Sequence, residues 1–213
     1  MNSPLAPTFY ELIHEVTLIA LNHASAAMSQ ALKDDVFIKT LEEYPVLSPE
    51  ENQERKQCYV LHTEMQGDFT ADTFILVSEI SEAKIAEKLL PPDLLGQWEM
   101  REASLLELDN MVIAALVTIY ANLLKTKVFG QVPSLSRCPS DELLKKFHKK
   151  DNASPYSFRA KLIAFHSRIT MEIIVIFNAS LLKVLENSRK QTSSEKIEHK
   201  ENFVKGFFRK LFH

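Results

Sequence analysis

The hexapeptide at residues 32–37, LKDDVF, returns at 124–129 as LKTKVF, with Leu, Lys, Val and Phe kept at an offset of 92 residues, and the same offset carries Glu15 onto Glu107. Internal repetition constrains the architecture before any single element does, because each copy must supply the same supersecondary unit. Each copy opens with a long helical pattern, continues into a strand, adds two strands around a turn and closes with a shorter helix. In the first copy the patterns predict a helix over 8–32, strands over 35–41, 57–66 and 72–79, and a helix in SEAKIAEKLL that stops at Pro91 and Pro92. In the second they predict a helix over 98–124, strands over 126–132, 156–167 and 171–177, and a helix in ASLLKVLENS. Two polar segments, YPVLSPEENQERK and SRCPSDELLKKFHKKDNASP, read as linkers. The expected fold is α+β: two helix-strand-strand-strand-helix units (8–90 and 98–188) with pseudo-twofold symmetry, their long helices packed on one shared, mainly antiparallel sheet. These fill a single domain, 1–188, and a polar linker with an amphipathic tail follows at 189–213.

Composition narrows the function classes. A chain of 213 residues with 46% hydrophobic content can bury a substantial core. Its net charge of -3 offers no basic field, so no nucleic-acid partner is expected. Cys58 and Cys138 stand far apart without a CxxC spacing, which fits a reducing compartment better than a disulfide framework. The N-terminus lacks a basic segment followed by an apolar one, and no uninterrupted apolar run reaches the roughly 18 residues of a membrane span. A cytoplasmic chain is expected. The four glycines form no phosphate-binding loop, the histidines show no zinc spacing (His14 and His23 lie nine apart on one helix), and no GxSxG elbow occurs. No metal or cofactor is expected on this chain.

The second long helix holds the remaining signal. At 100° per residue Leu105, Leu108, Val112, Leu116, Ile119 and Leu123 form one stripe, the face expected to pack on the sheet. Ala103, Glu107, Asn110, Ala114, Thr118 and Ala121 fall opposite. Glu107 and Asn110, three apart, are therefore neighbours on the outward face among small residues that leave room for an approaching surface. The plain alternative is a solvated Glu/Asn pair with alanines present for helix propensity.

Glu107, two residues, Asn110, then 22 residues and Pro133 resembles the active-site signature of the CheC/CheX/FliY chemotaxis phosphatases, which dephosphorylate the response regulator CheY. The first helix, EVTLIALNHASAAMSQALKDDVFI, is similar to that family's first helix and following strand, and the two-copy layout matches its duplicated fold. There are departures. Ala103 stands where the family has Asp or Ser. In the first copy Glu11 and Glu15 occupy the acidic positions but Leu18 replaces the Asn, and Pro45 comes about four residues late, so that site reads as degenerate.

The resemblance implies Asn110 and Glu107 as catalytic residues, with Ala103, Ala114 and Pro133 at the partner surface. The partner would be a phosphorylated CheY-like response regulator, which supplies its own Mg²⁺ and lysine. The amide of Asn110 would orient the attacking water and Glu107 would pair with the regulator's lysine. A non-catalytic module that docks on a regulator or on a flagellar or signalling partner is the alternative. Membrane contact is not expected, and a homodimer stays open. In the tail, FVKGFFRKLF interleaves aromatic and basic residues and could dock on its own domain or on a partner. The basic run DELLKKFHKK reads as a solvated face.

Overall fold

The computed structural model describes residues 8–43, 57–139 and 156–195. The loop that holds Pro45, the basic run at 141–150 and the tail at 200–213 lie outside them. The chain runs α1 (Phe9–Leu32), β1 (Val36–Glu43), β2 (Gln57–Gly67), β3 (Ala71–Ser78), α2 (Glu79–Leu89), a 3-10 turn at Pro92–Leu94, and α3 (Trp98–Leu124). It continues through β4 (Val128–Gly130), β5 (Ser134–Pro139), β6 (Tyr156–Ala164), β7 (Ile169–Phe177) and α4 (Ser180–Glu195).

Local chemistry sets the helix ends. α1 starts at a capping box: the Thr8 hydroxyl accepts from the Glu11 backbone N–H, and the Glu11 carboxylate accepts from the Thr8 N–H at 2.7 Å. α1 and α3 both stop at a lysine in the left-handed region, Lys33 (φ 49) and Lys125 (φ 53). The residue after Lys33, Asp34, accepts from the backbone N–H groups of His166 and Ser167 at 2.9 and 2.8 Å, tying the end of α1 to the β6–β7 turn.

The strands form one sheet in the order β1-β6-β7-β3-β2-β4, with β5 also on β2, and every pairing among them is antiparallel. α1 and α3 pack together over one face. Alternate residues of each strand meet them: Leu61 and Met65 of β2, Ile75 and Val77 of β3, Ile173, Val175 and Phe177 of β7. Leu105, Leu108, Val112 and Leu116 of α3 are buried as expected, while Ile119 and Leu123 are only half-buried at its far end. The hydroxyl of Tyr120 donates to Thr17 of α1 at 3.3 Å in the middle of this layer. A second, smaller cluster (Cys58, Val60, Phe74, Leu76 and Ile174) lies on the opposite face of the sheet. By length and composition alone α3 is long and apolar enough to cross a membrane, although no uninterrupted apolar run in it reaches that length, and half of that window is buried within the fold.

One strand was misread from sequence. The strand predicted over 126–132 is confined to Val128–Gly130, and the segment taken as the start of a linker forms β5, on the same partner. Proline has no N–H to give a ladder, so Pro133 breaks the strand. The Gln131 N–H still donates to the Glu64 carbonyl at 2.8 Å in the β4 register, but Ser134 then pairs with His62, one residue out of step. The extra residue is accommodated as a bulge-like break. α4 also runs seven residues past its predicted end at residue 188.

Candidate functional site

α3 presents Ala103, Glu107, Asn110, Ala114 and Thr118 on one exposed face, with Ala121 half-buried at its edge. The Thr118 hydroxyl donates back to the Ala114 carbonyl at 2.7 Å, so it adds little to the outward surface. Among the described residues neither Glu107 nor Asn110 makes a hydrogen bond or ion pair, and both functional groups are available to an incoming surface. No three His, Cys, Asp or Glu side chains among the described residues converge as a metal site.

Pro133 is half-buried in the segment between β4 and β5. That segment is placed by close packing of β4 on α3: Ile113 of α3 occupies the space a Cβ on Gly130 would need, so a glycine lets helix and strand approach. Next to Pro133, Val132 is 88% exposed and Phe129 is 54% exposed. Val128 and Gly130 face α3, so Phe129 between them points to the opposite face of the sheet; sequence reading singled out neither Phe129 nor Val132.

The corresponding stretch of α1 is built differently. Glu11 is used in the capping box at Thr8, Glu15 is half-buried, and Leu18 is half-buried and apolar. Leu18 stands 92 residues before Asn110 and carries no amide.

Between Glu107 and Asn110, and pointing the other way, lies a residue that the sequence reading passed over. Asp109 is fully buried against β2, where its Oδ2 accepts from the Thr63 hydroxyl at 2.5 Å while its Oδ1 has no hydrogen-bond partner. Burial pushes its carboxyl up to about 6, against the opposing effects of the Thr63 hydrogen bond and the nearby His62. The signal was present in the wheel: an acidic residue directly beside Leu108 and Val112 on the buried side of the helix is out of place unless something holds it.

A prediction follows from its protonation. The folded-state value lies above the unfolded one, so the folded chain holds the proton more tightly. The stabilisation is complete below about pH 4 and is lost as the pH rises through about 6. Asp109→Asn removes the charged form and should make the protein about 2 kcal/mol more stable than the parent at pH 7.5, with the gap closing towards pH 4. Urea midpoints across that range measure it, and an equal gap at both ends would show that Asp109 is not held protonated.

No protein-family model matches the chain, and no curated protein matches it in sequence. Solved structures do match in shape. The chemotaxis protein CheX of Desulfovibrio desulfuricans superposes with a TM-score of 0.58 at 7% identity, over 77% of this chain and 99% of that one. FliY of Thermotoga maritima gives 0.60 at 13% identity, over 89% and 99%. A chain from the FliM–SpeE complex of H. pylori gives 0.58 at 8%, over 86% and 98%. The chain therefore has the fold of the CheC/CheX/FliY-type chemotaxis proteins, as the spacing of Glu107, Asn110 and Pro133 suggested. At these identities the likeness concerns the fold.

Proposed function

We propose that this chain docks α3 against the receiver domain of a phosphorylated CheY-like response regulator and promotes hydrolysis of its aspartyl phosphate. The observation that carries this reading is the outward pair Glu107 and Asn110 on a face otherwise lined by Ala103, Ala114 and Thr118, in a fold shared with CheX and FliY. The regulator brings Mg²⁺ and a lysine of its own, so this chain has to supply only an oriented water and a docking register. Asn110 holds the water through its amide, which stays neutral across the physiological range. The water oxygen attacks phosphorus in line as the bond to the aspartyl oxygen breaks. Glu107, one turn earlier, pairs with the regulator's lysine and keeps the amide on the line of attack. The alanines allow close approach, and Pro133, in the segment placed by the packing of β4 on α3, extends the contact surface.

The duplicated architecture belongs to the same proposal. In the order β1-β6-β7-β3-β2-β4 the sheet reads the same from both ends if β1 matches β4, β6 matches β2 and β7 matches β3. Lys33 and Lys125, the two left-handed helix ends, stand one repeat apart. On this reading the first copy is the degenerate half and α3 carries the working site. The chain acts in the cytoplasm, where such regulators are found.

A second reading is a docking module without catalysis. Ala103, where the signature has Asp or Ser, favours it, and so does the loss of the amide at Leu18. The same fold occurs in a chain of the FliM–SpeE complex. Phosphate decay from a panel of response regulators, followed with and without the protein, separates the two. Acceleration that falls at least about 100-fold in Asn110→Ala, with binding retained, is expected for the phosphatase. Binding of a regulator without acceleration by the parent protein would leave the docking module, and full activity in Asn110→Ala would remove Asn110 from the mechanism.

A further inference from the structure

We propose that Thr63, Thr73 and Asp109 enclose one water molecule, which joins the Asp109 turn of α3 to both β2 and β3. Thr63 and Thr73 stand directly opposite each other in the β2–β3 ladder. Leu61 and Met65 of β2 and Ile75 and Val77 of β3 meet the helices, so by alternation Thr63 and Thr73 turn the same way, with Cβ atoms about 4.5–5.5 Å apart. All three residues are buried. The Thr63 hydroxyl donates to Asp109 Oδ2 at 2.5 Å, which takes its hydrogen away from the cross-strand neighbour. Two buried polar atoms of the group are left without a hydrogen-bond partner, Thr73 Oγ1 and Asp109 Oδ1. One carries a hydrogen and the other accepts one, yet they do not bond to each other directly.

Among the described residues the neighbours by position are apolar and buried. Met65 and Ile75 come next on the same faces of the two strands, Val175 lies opposite Thr73 on β7, and Leu105, Val112 and Ile113 flank Asp109 on α3. Leaving a hydroxyl and a carboxyl oxygen unmet in such a place costs more than immobilising a water. One water serves all three residues: it accepts from the Thr73 hydroxyl and donates one hydrogen to Asp109 Oδ1 and the other to a lone pair of Thr63 Oγ1. Three bonds are the usual complement of a buried water. Through Thr63 alone the carboxyl is held by β2; with the water it is held by β3 as well. The turn that runs directly into Asn110 then cannot roll without breaking bonds to two strands. The other titratable group that acts on the carboxyl is His62, which precedes Thr63 and so lies on the far face of the sheet, paired with Asp72 at 2.7 Å. The water site stands whether or not α3 docks on a regulator.

Oxygen-17 relaxation dispersion of the solvent counts waters that stay inside a protein for longer than its tumbling time, and the test applies it to the full chain at pH 7.5. The parent should hold one more such water than Thr73→Val, whose side chain keeps the shape and lacks the hydroxyl, and Thr73→Ser should keep that water. Carbon-13 titration of the Asp109 carboxyl gives a second reading. Its midpoint should move upwards in Thr73→Val, because the ionised form loses a donor. Amide exchange at residues 109–113 should be about fivefold faster in the same variant. Equal water counts in the parent and Thr73→Val would overturn the site, and so would a parent with no long-lived water, whatever the variants do. A count that falls while the Asp109 midpoint and the amide exchange stay as in the parent would place the water away from Asp109 and overturn the joint.

Discussion

Replacing Arg101 with alanine is expected to destabilise the fold by about 3 kcal/mol. Its guanidinium grips the carboxylate of Glu82 with two hydrogen bonds, one from Nε at 2.8 Å and one from Nη2. Glu82 is 1% exposed, so this is an ion pair with one member buried at the junction between α2 and the first turns of α3. Removing the arginine leaves a carboxylate without its cation in a place water hardly reaches, and the penalty for an unpaired buried charge exceeds the small net value of the intact pair. The double variant Arg101→Met/Glu82→Gln should therefore recover more than half of the loss. Arg137→Ala is the contrast, since Arg137 and its partner Glu79 are both more than half exposed, and a change below about 0.5 kcal/mol is expected there. Guanidinium unfolding of the four proteins decides the matter: equal losses for Arg101→Ala and Arg137→Ala would mean that burial of Glu82 does not govern the pair. Because α3 carries Glu107 and Asn110 about two turns further on, Arg101→Ala should also weaken the regulator binding proposed above, and the double variant should restore it.

Gly67→Ala is expected to have the largest effect, about 4 kcal/mol. Gly67 ends β2 at φ 145, a backbone conformation L side chains rarely adopt. An added Cβ would overlap the Lys127 carbonyl oxygen and come within 2.9 Å of the Lys127 carbonyl carbon and the Val128 Cα. All of these are backbone atoms, so no side-chain rotation relieves the clash. They are also held in place. The Asp68 N–H donates to the Lys127 carbonyl at 2.8 Å, and the Asp68 carboxylate accepts from the Lys127 N–H at 2.8 Å and from the Thr126 hydroxyl at 2.9 Å. Those bonds, the Lys127 N–H first, hold the Asp68 carboxyl below its usual range, so their contribution is present at neutral pH and is lost as the pH falls through the lowered value. This is opposite in direction to Asp109. Gly96→Ala, where nothing lies within 4 Å of an added Cβ, should leave stability within about 1 kcal/mol of the parent. A Tm for Gly67→Ala equal to that of Gly96→Ala would show that the end of β2 has freedom the structure does not give it.

The long helices were legible because their signals are local. Thr8 with Glu11 three residues later marks the start of α1, and the stripe from Leu105 to Leu116 marks the buried side of α3, so both helices begin and end within a residue of where sequence places them. The outward position of Glu107 and Asn110 came from the same 3.6-residue period. The strands in 57–66, 72–79, 156–167 and 171–177 were legible for a related reason: alternation and apolar runs are properties of neighbouring residues. β5 was not. SLSRCP is short and mostly polar because an edge strand buries little, and a polar edge strand has the composition of a linker.

What the sequence determined by itself was therefore the set of long helices and central strands, the division of α3 into a buried and an open face, and the candidate pair on the open one. Each depends only on residues within a turn or two of one another. The tertiary structure alone decided which distant groups meet: Asp109 with Thr63, Glu82 with Arg101, Asp34 with the turn at 166–167, Gly67 with Lys127, and Cys58 opposite Cys138. Such partners are chosen by strand order and register, which follow from how the whole core closes, and no short-range pattern encodes them.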